Sequence, residues 1–371
     1  MQKKLIALAV AGLMSAPVFA QSNVTIYGLI DMGYKWQGDN VTSGVGSRSA
    51  VDSGITAGNR LGFRGTEDLG NGLKASFVLE TGFNGDREGL INGGFHRQSY
   101  VALSGNFGTV ALGRQYTPQY LWTAGVADPF GKGNVGSAGN VLIQDARLDN
   151  LAAYVSPTFG GFSVIAAFTN SASGNESVDN GSGVPGADDA RVWALAPSYK
   201  NGPVFVGLNV HQIRANATTV GSSADTKIWD LIGSYDFGVV KLSGLYGVRD
   251  VDAAGLVGDV KHTQWLVGVT VPVGANGKVL ASYNRRVSDF DAAGQGDARV
   301  GQWAVGYEHA LSKRTSLYAA YAHQNQNSVQ EGITAGTAPV TGGVAVSVGD
   351  ATSGNGLGYQ RGLAVGVRHT F

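Results

Sequence analysis

From end to end the chain repeats one pattern. Apolar and polar residues alternate with period two over segments of nine to twelve residues. Beyond residue 20 no apolar run nears the ~18 residues that a membrane helix needs. Leu73, Ala75, Phe77, Leu79 and Phe83 share one face of such a segment, and Lys74, Ser76, Glu80 and Gly82 take the other. Trp265, Val267, Val269 and Val271 likewise alternate with Gln264, Gly268 and Thr270. This periodicity puts successive side chains on opposite faces of a strand. Soluble sandwiches alternate too, but their strands average ~5–6 residues, whereas ~9–11 cross a bilayer at a tilt. Charges and glycines fill the polar face, which suits a wet lumen better than a buried core.

Punctuation between the segments falls into two kinds. Tight turns occur near 69–72, 105–108, 157–161, 201–203, 236–238, 274–277 and 310–314. Longer stretches rich in Gly, Ser, Asn and Asp fill 36–57, 84–94, 117–146, 170–190, 213–225, 250–261, 288–299 and 326–357. Seven short and eight long connections join sixteen strands. An even, closed, antiparallel set satisfies every backbone amide in lipid and leaves no edge. The segment from Leu363 to the terminal Phe371 supplies the last strand. The expected fold is all-β: a sixteen-stranded antiparallel transmembrane β-barrel with long extracellular loops and short periplasmic turns.

The first twenty residues stand apart. Lys3 and Lys4 precede an apolar run, and Val18 and Ala20 fill the small-residue slots of a secretory leader. Cleavage after Ala20 is expected, leaving 21–371 as the barrel domain. It removes two lysines and no acid, so 25 basic residues face 27 acidic ones. That balance offers no basic face for nucleic acid. The absence of cysteine excludes disulfides, thiolate metal sites and a cysteine nucleophile.

Strand phase sorts the charges. With Leu61 and Phe63 toward lipid, Arg60 and Arg64 face the lumen, and the same logic sends Lys74 and Glu80 inward. On the first strand Val24, Ile26 and Ile30 face out, and Thr25, Tyr27 and Asp31 face in. Arg97 shares parity with Val101, so phase alone places Tyr100 and Ala102 outward if Arg97 points in. The connection 117–146 exceeds the ~12–15 residues typical of ordinary loops. It carries Tyr120, Leu121, Trp122 and Phe130 but few charges, which favours packing over free solvation.

Several stretches resemble the general porins of Gram-negative bacteria, especially the trimeric β-proteobacterial porins of neisserial and Burkholderia type. They are Val24-Thr-Ile-Tyr-Gly28, the run from Asn59 to Gly70, Arg97 to Ser104, Phe107 to Tyr116, Arg147 to Pro157, and the terminal Phe371. The resemblance implies a homotrimer in the outer membrane, passing ions and small hydrophilic solutes. It also implies a third loop folded into the barrel opposite a row of arginines, here matched by Arg60, Arg97 and Arg147. Asp128, beside Pro129-Phe-Gly131, is similar to the acid of that loop in enteric porins, although here the acid precedes proline. With Glu80, Asp31, Asp128 and Asp149 near the arginines, ion preference is closely balanced and leans to anions, because arginine does not deprotonate.

Other signals carry less. The G-x-G-x-x-G run at 181–186 has neither an entering strand nor a leaving helix, so it reads as loop. Gly131-Lys132 and Gly277-Lys278 lack the Ser/Thr that completes a phosphate loop. The six histidines show no metal-ligand spacing. No metal, cofactor or enzymatic activity is expected; the partners are outer-membrane lipid, other copies of the chain and the permeating solutes. A channel specific for small sugars or organic anions is the alternative reading.

Overall fold

The computed structural model describes residues 23–40, 46–89, 93–131, 133–172, 190–216, 223–252, 259–290, 296–327 and 359–371. Seventeen strands form one antiparallel sheet. They are β1 (Asn23–Asn40), β2 (Ser47–Ser53), β3 (Arg60–Gly70), β4 (Leu73–Gly82), β5 (Gln98–Gly105) and β6 (Gly108–Tyr116). β7 (Arg147–Val155), β8 (Phe162–Thr169), β9 (Ala190–Asn201), β10 (Val204–Asn216), β11 (Ser223–Asp236) and β12 (Lys241–Asp252) follow. The last are β13 (Val260–Val273), β14 (Gly277–Phe290), β15 (Ala298–Ala310), β16 (Thr315–Gln326) and β17 (Tyr359–Thr370). The leader with its cleavage point and the 181–186 run lie outside the described residues, as do Lys132 and most of 170–190 and 326–357.

From β3 onward each strand pairs with the next, and β17 closes on β1, Leu29 opposite Thr370. Reciprocal bonds of 3.1 Å between Gly28 and Phe371 seal the seam. β2 adds no column to the wall, because β1 pairs with β3 over Asn23–Leu29 and with β2 over Met32–Gly38 on the same edge. The barrel therefore has sixteen columns. The stretch 36–57 is not a simple loop: its middle returns as β2, held where Asp52 binds Lys35 at 2.9 Å and Arg48 at 2.6 Å. All seven short turns fall where the sequence places them, six of them at glycines and the seventh at Ala310-Leu-Ser-Lys-Arg314. Asn71 and Gly72 both adopt positive φ, 52° and 79°, the left-handed pair that a two-residue hairpin requires.

Period two governs the outer wall. Val24, Ile26, Leu112, Leu231 and Val365 are all at least half exposed and aligned for lipid. Trp229 packs on Tyr246, Trp265 on Tyr283 and Trp303 on Tyr321, with ring centroids 5.2–5.5 Å apart, forming the aromatic belt expected at a membrane boundary. The inner wall departs from a uniformly polar lumen. Inward Ala196, Ile232, Leu245, Leu266 and Val300 are buried against Trp122, Ala127, Val141 and Leu142. Leu280, Ala304, Tyr318 and Ala320 cover Phe130 and Val135. The described residues of 117–146 thus lie inside the barrel on the β9–β17 wall, where burying apolar surface stabilises by ~25 cal/mol per Å².

Candidate functional site

The third connection is positioned from its first residue. The Thr117 hydroxyl accepts from the Tyr120 amide at 3.1 Å and caps α1 (Pro118–Trp122). Pro118 suits the opening turn because its missing amide hydrogen would have no helical partner. A π turn (Thr123–Ala127) and a 3-10 turn (Ala138–Asn140) follow. Glutamines from the wall then hold the backbone. Gln264 accepts from the Ile143 amide at 2.9 Å and donates to its carbonyl at 3.1 Å, and Gln302 donates to the Gly136 and Ser137 carbonyls. At the far end the fully buried Asp145 carboxylate meets Arg249 and His211, each at 3.1 Å. Burial would raise Asp145, but the Arg249 charge and the hydrogen bond and charge of His211 hold its carboxyl below the ordinary range.

On the opposite wall several expected residues converge. Glu80 accepts from the Tyr27 hydroxyl at 3.0 Å and from Arg97 Nε at 2.8 Å. Arg97 also donates to the Tyr116 hydroxyl at 2.8 Å, and Arg147 reaches the same oxygen at 3.2 Å while stacking over the ring. Arg64 lies 5.0 Å over the Tyr27 ring, and Arg60 is within electrostatic reach of both Tyr27 and Glu80. Arg97 does face inward, yet Ala102 is buried and Val101 is 55% exposed, so Tyr100 and Ala102 do not turn out. The parity argument fails there because Arg97 precedes β5 and its backbone is not yet a strand. Tyr116, the shared acceptor, gave no sequence signal beyond its place at a strand end.

Four expected residues stand outside this hydrogen-bonded group. Lys74 is inward but six residues along β4 from Glu80, roughly 20 Å toward the short-turn end. Asp149 pairs with Arg114 at 2.5 Å, and Arg114 also donates to the carbonyl of His96, the neighbour of Arg97. Asp31 is inward and fully buried. Its carboxylate accepts from the Tyr318 hydroxyl at 2.6 Å and from the Thr56 and Ala57 amides at 2.6 and 3.0 Å. It fastens 54–59 against the lumen wall. Asp128 turns onto its own loop, accepting from the Ala138 amide at 2.7 Å and the Phe130 amide at 2.9 Å. Burial outweighs those donors and pushes its carboxyl up to about 7.

An open passage remains between the third connection and the wall. A cavity of about 540 Å³ is bordered by Arg60, Thr56, Asp128 and Phe130, and nearer the short turns by Lys241, Lys278, Glu308 and Arg368. The geometry is a closed barrel with space left beside an internal loop and lined with fixed charges, an arrangement suited to diffusion and charge selection.

A sequence model of the Gram-negative porin family matches residues 7–330. Outer membrane porin protein 32 of Delftia acidovorans is 34% identical over the full length of both chains. The major outer membrane protein P.IB of Neisseria lactamica is 30% identical over 92% of this chain and 98% of its own. Among solved structures, an anion-selective porin from Comamonas acidovorans superimposes with a TM-score of 0.69 at 29% identity, covering 95% of this chain and 100% of that one. The chain belongs to the Gram-negative porin family, as an outer-membrane barrel around a water-filled passage for ions and small hydrophilic solutes.

Proposed function

We propose that the passage favours anions over cations, selected where Arg60, Arg64, Arg97 and Arg147 gather on one wall. The carrying observation is the charge count at that wall. Among these four guanidinium groups stands the buried carboxylate of Glu80, while Asp31 is taken up by Tyr318, Thr56 and Ala57 and the loop acid Asp128 is turned onto its own backbone. Guanidinium stays charged throughout the working pH range, so the surplus is permanent. The anion selectivity named for the Comamonas acidovorans structure supports the same reading. Replacing Arg60, Arg97 and Arg147 together by Gln should move the reversal potential in a KCl gradient toward potassium. An unmoved potential with intact conductance would place selection elsewhere.

The working unit is a homotrimer, and its contact wall is β3–β6. Outward positions there carry Leu61, Phe63, Phe77, Val101 and Leu112 but neither Trp nor Tyr, unlike the belted wall of β9–β16. A wall without boundary aromatics is suited to protein contact rather than lipid. Export relies on the leader ending at Ala20, which its basic start and apolar centre support.

A further inference from the structure

A second band of charge lies past the constriction, at the short-turn end. Lys200, Lys241, Lys278 and Arg368 fall within three residues of the ends of β9, β12, β14 and β17. Each keeps the parity of a buried inward residue on its strand: Ala196, Leu245, Leu280 and Ala364. All four therefore point into the lumen, spread around the wall from β9 to β17, which closes on β1 beside the strand of Arg60 and Arg64.

Two acids accompany them. Glu308 binds Lys278 at 3.1 Å and Arg368 at 2.5 Å. The Asp236 carboxylate accepts from the Gly238 amide at 2.8 Å and so is partly committed to its turn. Lys241 has no ion-pair partner among the described residues. It borders both the 540 Å³ cavity shared with Arg60 and a second cavity of about 460 Å³ shared with Lys200 and Asp236. Lys241 is the hinge of the band, touching the space above and the space below.

We propose that this band is a second selectivity filter, which draws small inorganic and carboxylate anions from the arginine cluster toward the short-turn mouth. The proposal rests on the channel reading above. Fixed charges in a low-dielectric cleft focus the field, and the Debye length of ~10 Å at 0.1 M salt keeps it strong across a narrow lumen. Because the band sits at one mouth, it also makes the pore electrically asymmetric.

The test uses the full-length protein in planar bilayers, with KCl as the probe. Replacing Lys200 and Lys241 together by Gln should lower the chloride-to-potassium permeability ratio by about twofold and change the asymmetry of the current–voltage curve. Glu308→Gln should act in the opposite sense, since Lys278 and Arg368 lose their counter-charge. Lys241→Arg, which preserves the charge, should leave the ratio unchanged. Equal ratios and curves for the wild type, the double variant and Glu308→Gln, each with intact conductance, would overturn the second filter and leave the channel reading standing. A wild type without conductance would overturn both.

Discussion

At the scale of single residues, environment decides what a charge can do more than facing does. Asp31, Glu80 and Arg147 all reached the lumen side, but Asp31 fastens 54–59 and Arg147 is pinned to Tyr116. Parity was legible in the sequence; the partners were not, because Thr56, Tyr116 and Tyr318 are distant in the chain from the groups they bind. Asp128 yields a pH prediction. Its carboxyl is raised to about 7 in the folded protein by burial. The folded state therefore holds a proton that the unfolded chain, with an ordinary carboxyl near ~3.9, releases. Its contribution to stability is complete at low pH and is lost as pH rises from about 4 to about 7. Thermal unfolding across that window should fall more steeply for the wild type than for Asp128→Asn. Parallel curves would show that Asp128 does not titrate there.

At the scale of elements, the internal loop is the part that a strand pattern could not fully reveal. Its length and its apolar residues were plain, and they pointed to packing. What it packs on was hidden by the assumption that inward residues are polar. Ile232, Leu245, Leu266 and Leu280 break the alternation only because a second layer lies over them. The connection is pinned at its end by Asp145, whose ion pair with Arg249 is almost wholly buried. Removing one partner of such a pair costs about 3–5 kcal/mol, because the other charge stays buried without it. Asp145→Asn should therefore loosen the end of the loop, and single-channel records should become noisier with a larger mean conductance. Records indistinguishable from wild type would mean that the glutamine contacts at Ile143 and Gly136 suffice.

At the scale of the whole molecule, barrel closure follows from local features that the chain displays openly. Seven short turns, long alternating segments and a terminal strand ending in Phe371 are enough to infer sixteen columns. β2 was missed because it pairs within a long polar connection and crosses nothing, so no membrane-length alternation marks it. The lysines at the short-turn mouth were individually visible beside turns, as Gly277-Lys278 illustrates. Their joint position emerged only when four strand ends met around one lumen. The central claim is an open, anion-favouring passage, and its most direct test is the wild-type reversal potential in a planar bilayer under a KCl gradient. The account predicts stepwise currents that scale with bulk salt conductivity and a reversal potential displaced toward chloride. Currents that saturate with salt, or a potential displaced toward potassium, would contradict it.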